Sequence, residues 1–257
     1  MNLTKQILFS ILSGLLVMLS FPTVLFGWKL PELGFLAWFA LVPLFVSIHQ
    51  QSARRVWSLA FLCGSIFVSG SLYWIFNAVH HYGGLDMLVS LFVTITLIVF
   101  VAAYLALAPC LATIFAKRLQ GEMLICLPVF WTVVEFARNF LPFNGFPWSN
   151  LAMSQAAALL PLQFVDICGV YGLIFLLIWV NQFLAEWVLK LSGASLKYFN
   201  AKFVVTALIT GLVFFYGAYK LRTIPQTIEA APAFKVGLIQ GNIAQHEKWD
   251  PRFLKRN

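Results

Sequence analysis

Apolar residues in this chain gather into long blocks rather than repeating at an amphipathic period, and short polar or turn-forming stretches separate the blocks. The first block runs from about Gln6 to Phe21 and is closed by Pro22. The second runs from about Leu33 to His49, after a linker that carries Trp28 and Pro31. The hydrophilic QQSARR leads into a third block, Val56 to about Asn77, and the turn HHYGGLD into a fourth, Met87 to Ala116. KRLQGE separates that from a fifth, Met123 to about Phe140. A sixth block spans about Val170 to Leu189 and a seventh Phe203 to Tyr219. Several blocks reach the roughly 20 residues a helix needs to cross hydrocarbon. The expected fold is an all-α polytopic membrane bundle of about seven transmembrane helices, occupying residues 1–219.

Two stretches break the pattern. LPFNGFPWSNLAMSQAAALLPLQFVD, between blocks five and six, is too interrupted by proline, glycine and polar residues to span, and reads as an extramembrane or re-entrant arm. From Lys220 onward the composition turns soluble. Phe234 to Ile239 reads as a hydrophobic strand broken by Gly241 and Asn242, and residues 220–257 form a linker and the start of a second domain. About two dozen residues with one strand cannot fold alone, so this tail needs more chain or a partner.

Composition agrees with the blocks. The chain is 61% hydrophobic and only 10% charged, with a mean hydropathy of +0.88, against the roughly 25% charged residues of soluble domains. A net charge of +8 would suggest nucleic acid in a soluble protein. Here its position matters instead, and no nucleic-acid partner is expected. With the amino terminus in the cytoplasm, Lys5, Arg54, Arg55, Lys117, Arg118, Lys190, Lys197 and Lys202 fall inside, against Lys29 and Arg138 outside. The positive-inside rule then puts the carboxy-terminal tail outside, in the periplasm of a Gram-negative cell. The cysteines Cys63, Cys110, Cys126 and Cys168 lie in or beside apolar blocks without CxxC spacing, so neither a metal site nor a disulfide framework is expected.

Few residues carry candidate chemistry. Glu135 lies within the fifth block, where an ionisable group costs a few kcal/mol on insertion scales and needs a partner. Arg138, three residues on, shares its helix face. The two read as a structural ion pair or as groups acting directly on a substrate. Asp166 reads as the cap of helix six, and Glu186 with Lys190 as a surface pair. His80 and His81 read as part of a polar loop, since a metal would need further ligands in register. In GFPWSN, Gly145 and Pro147 shape a turn that sets Phe146 and Trp148 at the membrane surface, which suits a lipid-facing groove and simple interfacial anchoring equally.

Four segments together carry a family resemblance: GFLAWFALVPLF, GSLYWIFNAVHHYGG, WTVVEFARNFLPFNGFPWSNLAMSQ and KVGLIQGNIAQHEKWD. In kind, order and spacing they resemble the amino-terminal part of bacterial apolipoprotein N-acyltransferase. The resemblance implies a multi-pass inner-membrane enzyme with a periplasmic nitrilase-like α/β domain. It also implies transfer of an acyl chain from a phospholipid donor to the α-amine of the diacylglyceryl cysteine of an apolipoprotein. A cysteine thioester carries the chain, a glutamate acts as general base and a lysine stabilises the oxyanion; no cofactor is implied. That Glu-Lys-Cys triad is expected beyond Asn257, so no residue of this chain is expected to be catalytic, and the chain to be inactive alone. Trp249 resembles a tryptophan near the acyl-binding cleft, and Trp148 and Phe146 the surface beneath the nitrilase domain. Two other readings stand beside this one: a membrane scaffold for a separately encoded nitrilase domain, and a transporter, for which a polar path and internal symmetry are missing.

Overall fold

A computed structural model describes residues 1–22, 24–25, 28–29, 31–118, 123–141, 145–196, 199–243, 248 and 252. The first helix, α1 (Leu3–Ser20), starts where the Asn2 side chain accepts the Lys5 N–H at 3.0 Å and stops one residue ahead of Phe21-Pro22. A two-residue antiparallel pair, β1 (Val24–Leu25) and β2 (Trp28–Lys29), turns the chain back.

The second block is not one helix, which corrects the expectation of a regular span there. It is a 3₁₀ turn (Gly34–Trp38), a break, and the short α2 (Val42–Ile48). Pro43 has no N–H to continue a helical ladder, so the break is local chemistry. The backbone groups it frees find side chains from other elements. The Asn181 side chain accepts the Leu41 N–H and donates to the Ala37 carbonyl, both at 2.8 Å. Ser13 accepts the Leu44 N–H at 2.9 Å, and Gln6 donates to the Ser47 carbonyl at 3.3 Å. Non-helical backbone at membrane depth is tolerated when protein satisfies it in this way.

α3 (Ala53–Leu72), capped by Ser52, leads through α4 (Trp74–Asn77) into a π-helical turn at Ala78–Tyr82. The histidines thus extend a helix rather than form a loop, with His80 Nδ1 2.8 Å from the Leu85 carbonyl. α5 (Met87–Arg118) and α6 (Met123–Ala137) follow, each with an internal proline. The arm holds a 3₁₀ turn (Leu151–Gln155) and α7 (Leu159–Leu162). In α8 (Val165–Leu191), Gly169 takes φ +65° and kinks the helix, so the long apolar part starts at Val170 as its pattern implies. The last helix, α9 (Phe199–Ala230), runs past Tyr219 by three turns.

Among the described residues five helices, α1, α3, α5, α8 and α9, are long and apolar enough to cross a membrane, while Gly34–Ile48 and Cys126–Ala137 are shorter apolar segments. Neighbour follows neighbour around a closed ring: α1, α3, α5, α6, α8, α2 and back to α1. Phe45 and Trp131 meet edge to face across its centre. α9 lies outside the ring against α7 and α8, with Leu208, Leu212 and Phe215 exposed as a lipid-facing surface requires.

Three further expectations change. Glu186 pairs with Lys202 of α9 at 2.7 Å, while the Lys190 ammonium sits 3.9 Å from the centre of the Phe199 ring. Asp166 is no simple cap, because Lys220 Nζ lies 2.9 Å away and Tyr216 donates to it, tying α8 to α9. Residues 232–243 form no strand, and Phe234, Val236, Leu238 and Ile239 are exposed. A strand needs a neighbour to satisfy its backbone, and none of the described residues supplies one.

Candidate functional site

The arm folds back over one end of the ring, and Arg138 holds it there. Its Nη2 donates to Glu135 Oε2 at 2.5 Å and its Nη1 to the Trp148 carbonyl at 2.8 Å. In return the Arg138 carbonyl accepts the Phe146 N–H at 2.9 Å. Both charged residues are buried, Glu135 at 3% and Arg138 at 1% exposure. The return is tight enough that Gly145 takes φ +84°, and a Cβ there would collide with the Asn139 carbonyl. Asn150 then caps the 3₁₀ turn by accepting the Met153 N–H.

Further along, Gln155 accepts from the Trp38 indole at 3.0 Å and donates to the Gly34 carbonyl at 2.7 Å, joining the arm to the second block. The arm is thus fastened to two elements of the ring. Phe146 packs against the core, while Trp148 stays 53% exposed with its ring 5.2 Å from that of Trp74. Phe140 and Leu141 are exposed beside them in sequence, which gives this end an aromatic and apolar lip. Such surfaces favour the boundary between headgroups and hydrocarbon.

Beneath the lip, Glu135 and Trp131 border a cavity of about 30 Å³, otherwise walled by apolar side chains such as Leu44, Phe67 and Leu105. That is room for about one water and far too little for an acyl chain. Among the described residues no group of three or more His, Cys, Asp or Glu could hold a metal. The structure therefore brings Glu135, Arg138, Phe146 and Trp148 together. Trp249 lies outside the described residues.

Sequence reasoning missed Trp74 as the partner of Trp148, and it missed the tie made by Trp38 and Gln155. Both tryptophans lie in segments that carry the resemblance, but nothing local says which arm residue each meets. Asn181 was also missed, although an amide inside an apolar block is itself a signal of a buried polar contact.

A family model described as the apolipoprotein N-acyltransferase N-terminal domain matches residues 13–183, about two thirds of the chain. This chain belongs to that family. Similar curated proteins agree, all named apolipoprotein N-acyltransferase. The one from Geobacter metallireducens is 36% identical over 97% of this chain and 46% of its own length. Those from Pasteurella multocida and Haemophilus influenzae are 32% and 30% identical, over 82% and 99% of this chain and 39% and 46% of their own lengths. The chain spans less than half the length of these N-acyltransferases. The region matched to the N-acyltransferase family contains the lip and the Glu135–Arg138 clip that holds the arm, from Trp74 to Gln155.

Proposed function

We propose that this chain is the membrane base of an apolipoprotein N-acyltransferase. In this reading a phospholipid gives its acyl chain to a cysteine thiolate as a thioester, releasing the lysolipid. The α-amine of a diacylglyceryl apolipoprotein then attacks the thioester, forming the amide and freeing the thiol. The Glu-Lys-Cys triad belongs to a nitrilase-like domain, residues 220–257 supply the linker to it and its beginning, and Trp249 joins its acyl-binding cleft. The lip of Trp148 and Trp74, with Phe146 packed behind it, meets the acyl chains of the substrates at the bilayer surface. Glu135 and Arg138 hold that lip in place without touching substrate. The observation that carries the reading is the family match across the segment that builds the lip.

The test uses cells depleted of their own N-acyltransferase. The chain alone is expected to leave their lipoproteins unacylated at the amine. The chain continued by the remaining residues of the Geobacter metallireducens relative is expected to restore acylation. Rescue by the chain alone, or an inserted but inactive hybrid, would overturn the proposal.

The same reading has seven crossings with the amino terminus in the cytoplasm. Three features support counting the broken second block as a crossing. Its Ser47 end is level with Gln6 near the start of α1, and Leu44 is level with Ser13. Its Gly34 end shares a cleft of about 200 Å³ with Ser20 at the end of α1. The block thus covers nearly the depth of that helix. Alkaline phosphatase fused after Ala230 should be active, and inactive when fused after Arg118. The reverse pattern would sink the orientation.

A further inference from the structure

At the end of the bundle away from the arm, residues of α1 and α3 line a groove of about 480 Å³. Its rim carries Arg54 and Arg55 with Leu3 beside them, and its walls below are mainly apolar, with Ile7 on one side and Leu59 and Leu62 on the other. Arg54 starts a helix of 20 residues whose far end leads to Trp74, so the groove lies about 30 Å from the lip along that axis. It is a separate place in the molecule.

Both arginines are exposed, but Arg55 is not simply a loose surface charge. Arg55 Nη1 donates at 3.2 Å to Gln6 Oε1, and Gln6 is itself buried, 1% exposed, and braced against the Ser47 carbonyl. One edge of the Arg55 fork is thereby fixed, leaving its other donors for a ligand. No carboxylate among the described residues pairs with Arg54 or Arg55. The first turn of α3 adds the positive end of its dipole at the same level. Two cations and a helix start at the mouth select an anion, and phosphate suits the guanidinium fork. A free phosphate would use only the mouth. Leu62 stands two turns deeper than Arg54, about 12 Å along the helix, so apolar wall continues below the charged rim. Polar above and apolar below is the profile of a phospholipid standing parallel to the helices.

We infer that this groove binds an anionic phospholipid, its phosphate between Arg54 and Arg55 and an acyl chain along Ile7, Leu59 and Leu62. The occupant is a structural or regulatory lipid remote from the lip. The inference needs the bilayer but not the acyl-transfer reading.

The full chain, purified in detergent, is titrated with phosphatidylglycerol or phosphatidylcholine of matched chains, and bound lipid is counted by native mass spectrometry. Phosphatidylglycerol should bind more tightly. The double variant R54Q/R55Q should weaken that binding about twenty-five-fold, taking each cation near a membrane surface to contribute about five-fold. K117Q/R118Q removes the same charge from the end of α5 and should leave binding unchanged. R54K/R55K keeps the charge without the fork and should give a partial loss. Excess inorganic phosphate should not displace the lipid. Equal binding of the two lipids by the wild-type chain overturns the inference, whether or not the variants fold. So does equal loss in both glutamine doubles, or displacement by inorganic phosphate, which would make the groove a simple anion site.

Discussion

Replacing Arg138 by alanine should destabilise the folded bundle by about 3–5 kcal/mol, the usual cost of leaving one member of a buried ion pair behind. Glu135 would keep its burial and lose its cation. The cavity beside it holds about one water, and water entering the space vacated by the arginine would supply hydrogen bonds but no cation. The arm would also lose the donor to the Trp148 carbonyl. Unfolding against SDS mole fraction, followed by tryptophan fluorescence, measures the loss. A second variant separates stability from arm placement. Glu135→Leu with Arg138→Met removes both charges, and such swaps are often neutral or stabilising. The double should therefore return to within about 1 kcal/mol of the wild type. Its arm carbonyl would still be unbonded, so proteolysis near residues 145–150 should stay faster. Wild-type stability in Arg138→Ala would show that the clip is not what secures this end.

Asn181→Leu should cost about 2–6 kcal/mol, because it keeps the branched shape but strands two backbone groups, each worth about 1–3 kcal/mol when buried without a partner. The Leu41 N–H and the Ala37 carbonyl are those groups. Polar contacts between membrane helices average only about 0.6 kcal/mol in double-mutant cycles. The larger figure applies here because the break leaves these two backbone groups no helical alternative, whereas a side chain in a regular helix strands no backbone when it is removed. Amide exchange in a peptide covering residues 37–44 should quicken in parallel. Unchanged stability and unchanged exchange in Asn181→Leu would mean the second block is held by packing alone.

Much of the site could be read before any coordinates. Glu135 and Arg138 announced each other through their spacing on one helix, and GFPWSN announced a turn with aromatic residues at a surface. Their joint arrangement could not be read, because the bond from Arg138 to Trp148 crosses a turn whose direction depends on Gly145 taking a positive φ. Trp74 reaches Trp148 only because α3 and α6 stand in the same ring. The reading of residues 234–239 as a strand follows a sound local pattern, yet a strand forms only beside a partner.

What the sequence determined by itself was local or summed along the chain: the apolar blocks, the breaker at Pro22, the asymmetry of basic residues, and the motifs that mark the family. These depend on period, steric restriction and composition, which neighbouring residues carry without reference to the rest of the fold. The tertiary structure alone decided which polar groups satisfy one another. Glu186 takes Lys202 on another helix over Lys190 on its own, Asp166 takes Lys220, and Asn181 repairs a break 144 residues away. In an apolar interior a polar group must find a partner, but ring closure fixes which one lies within reach.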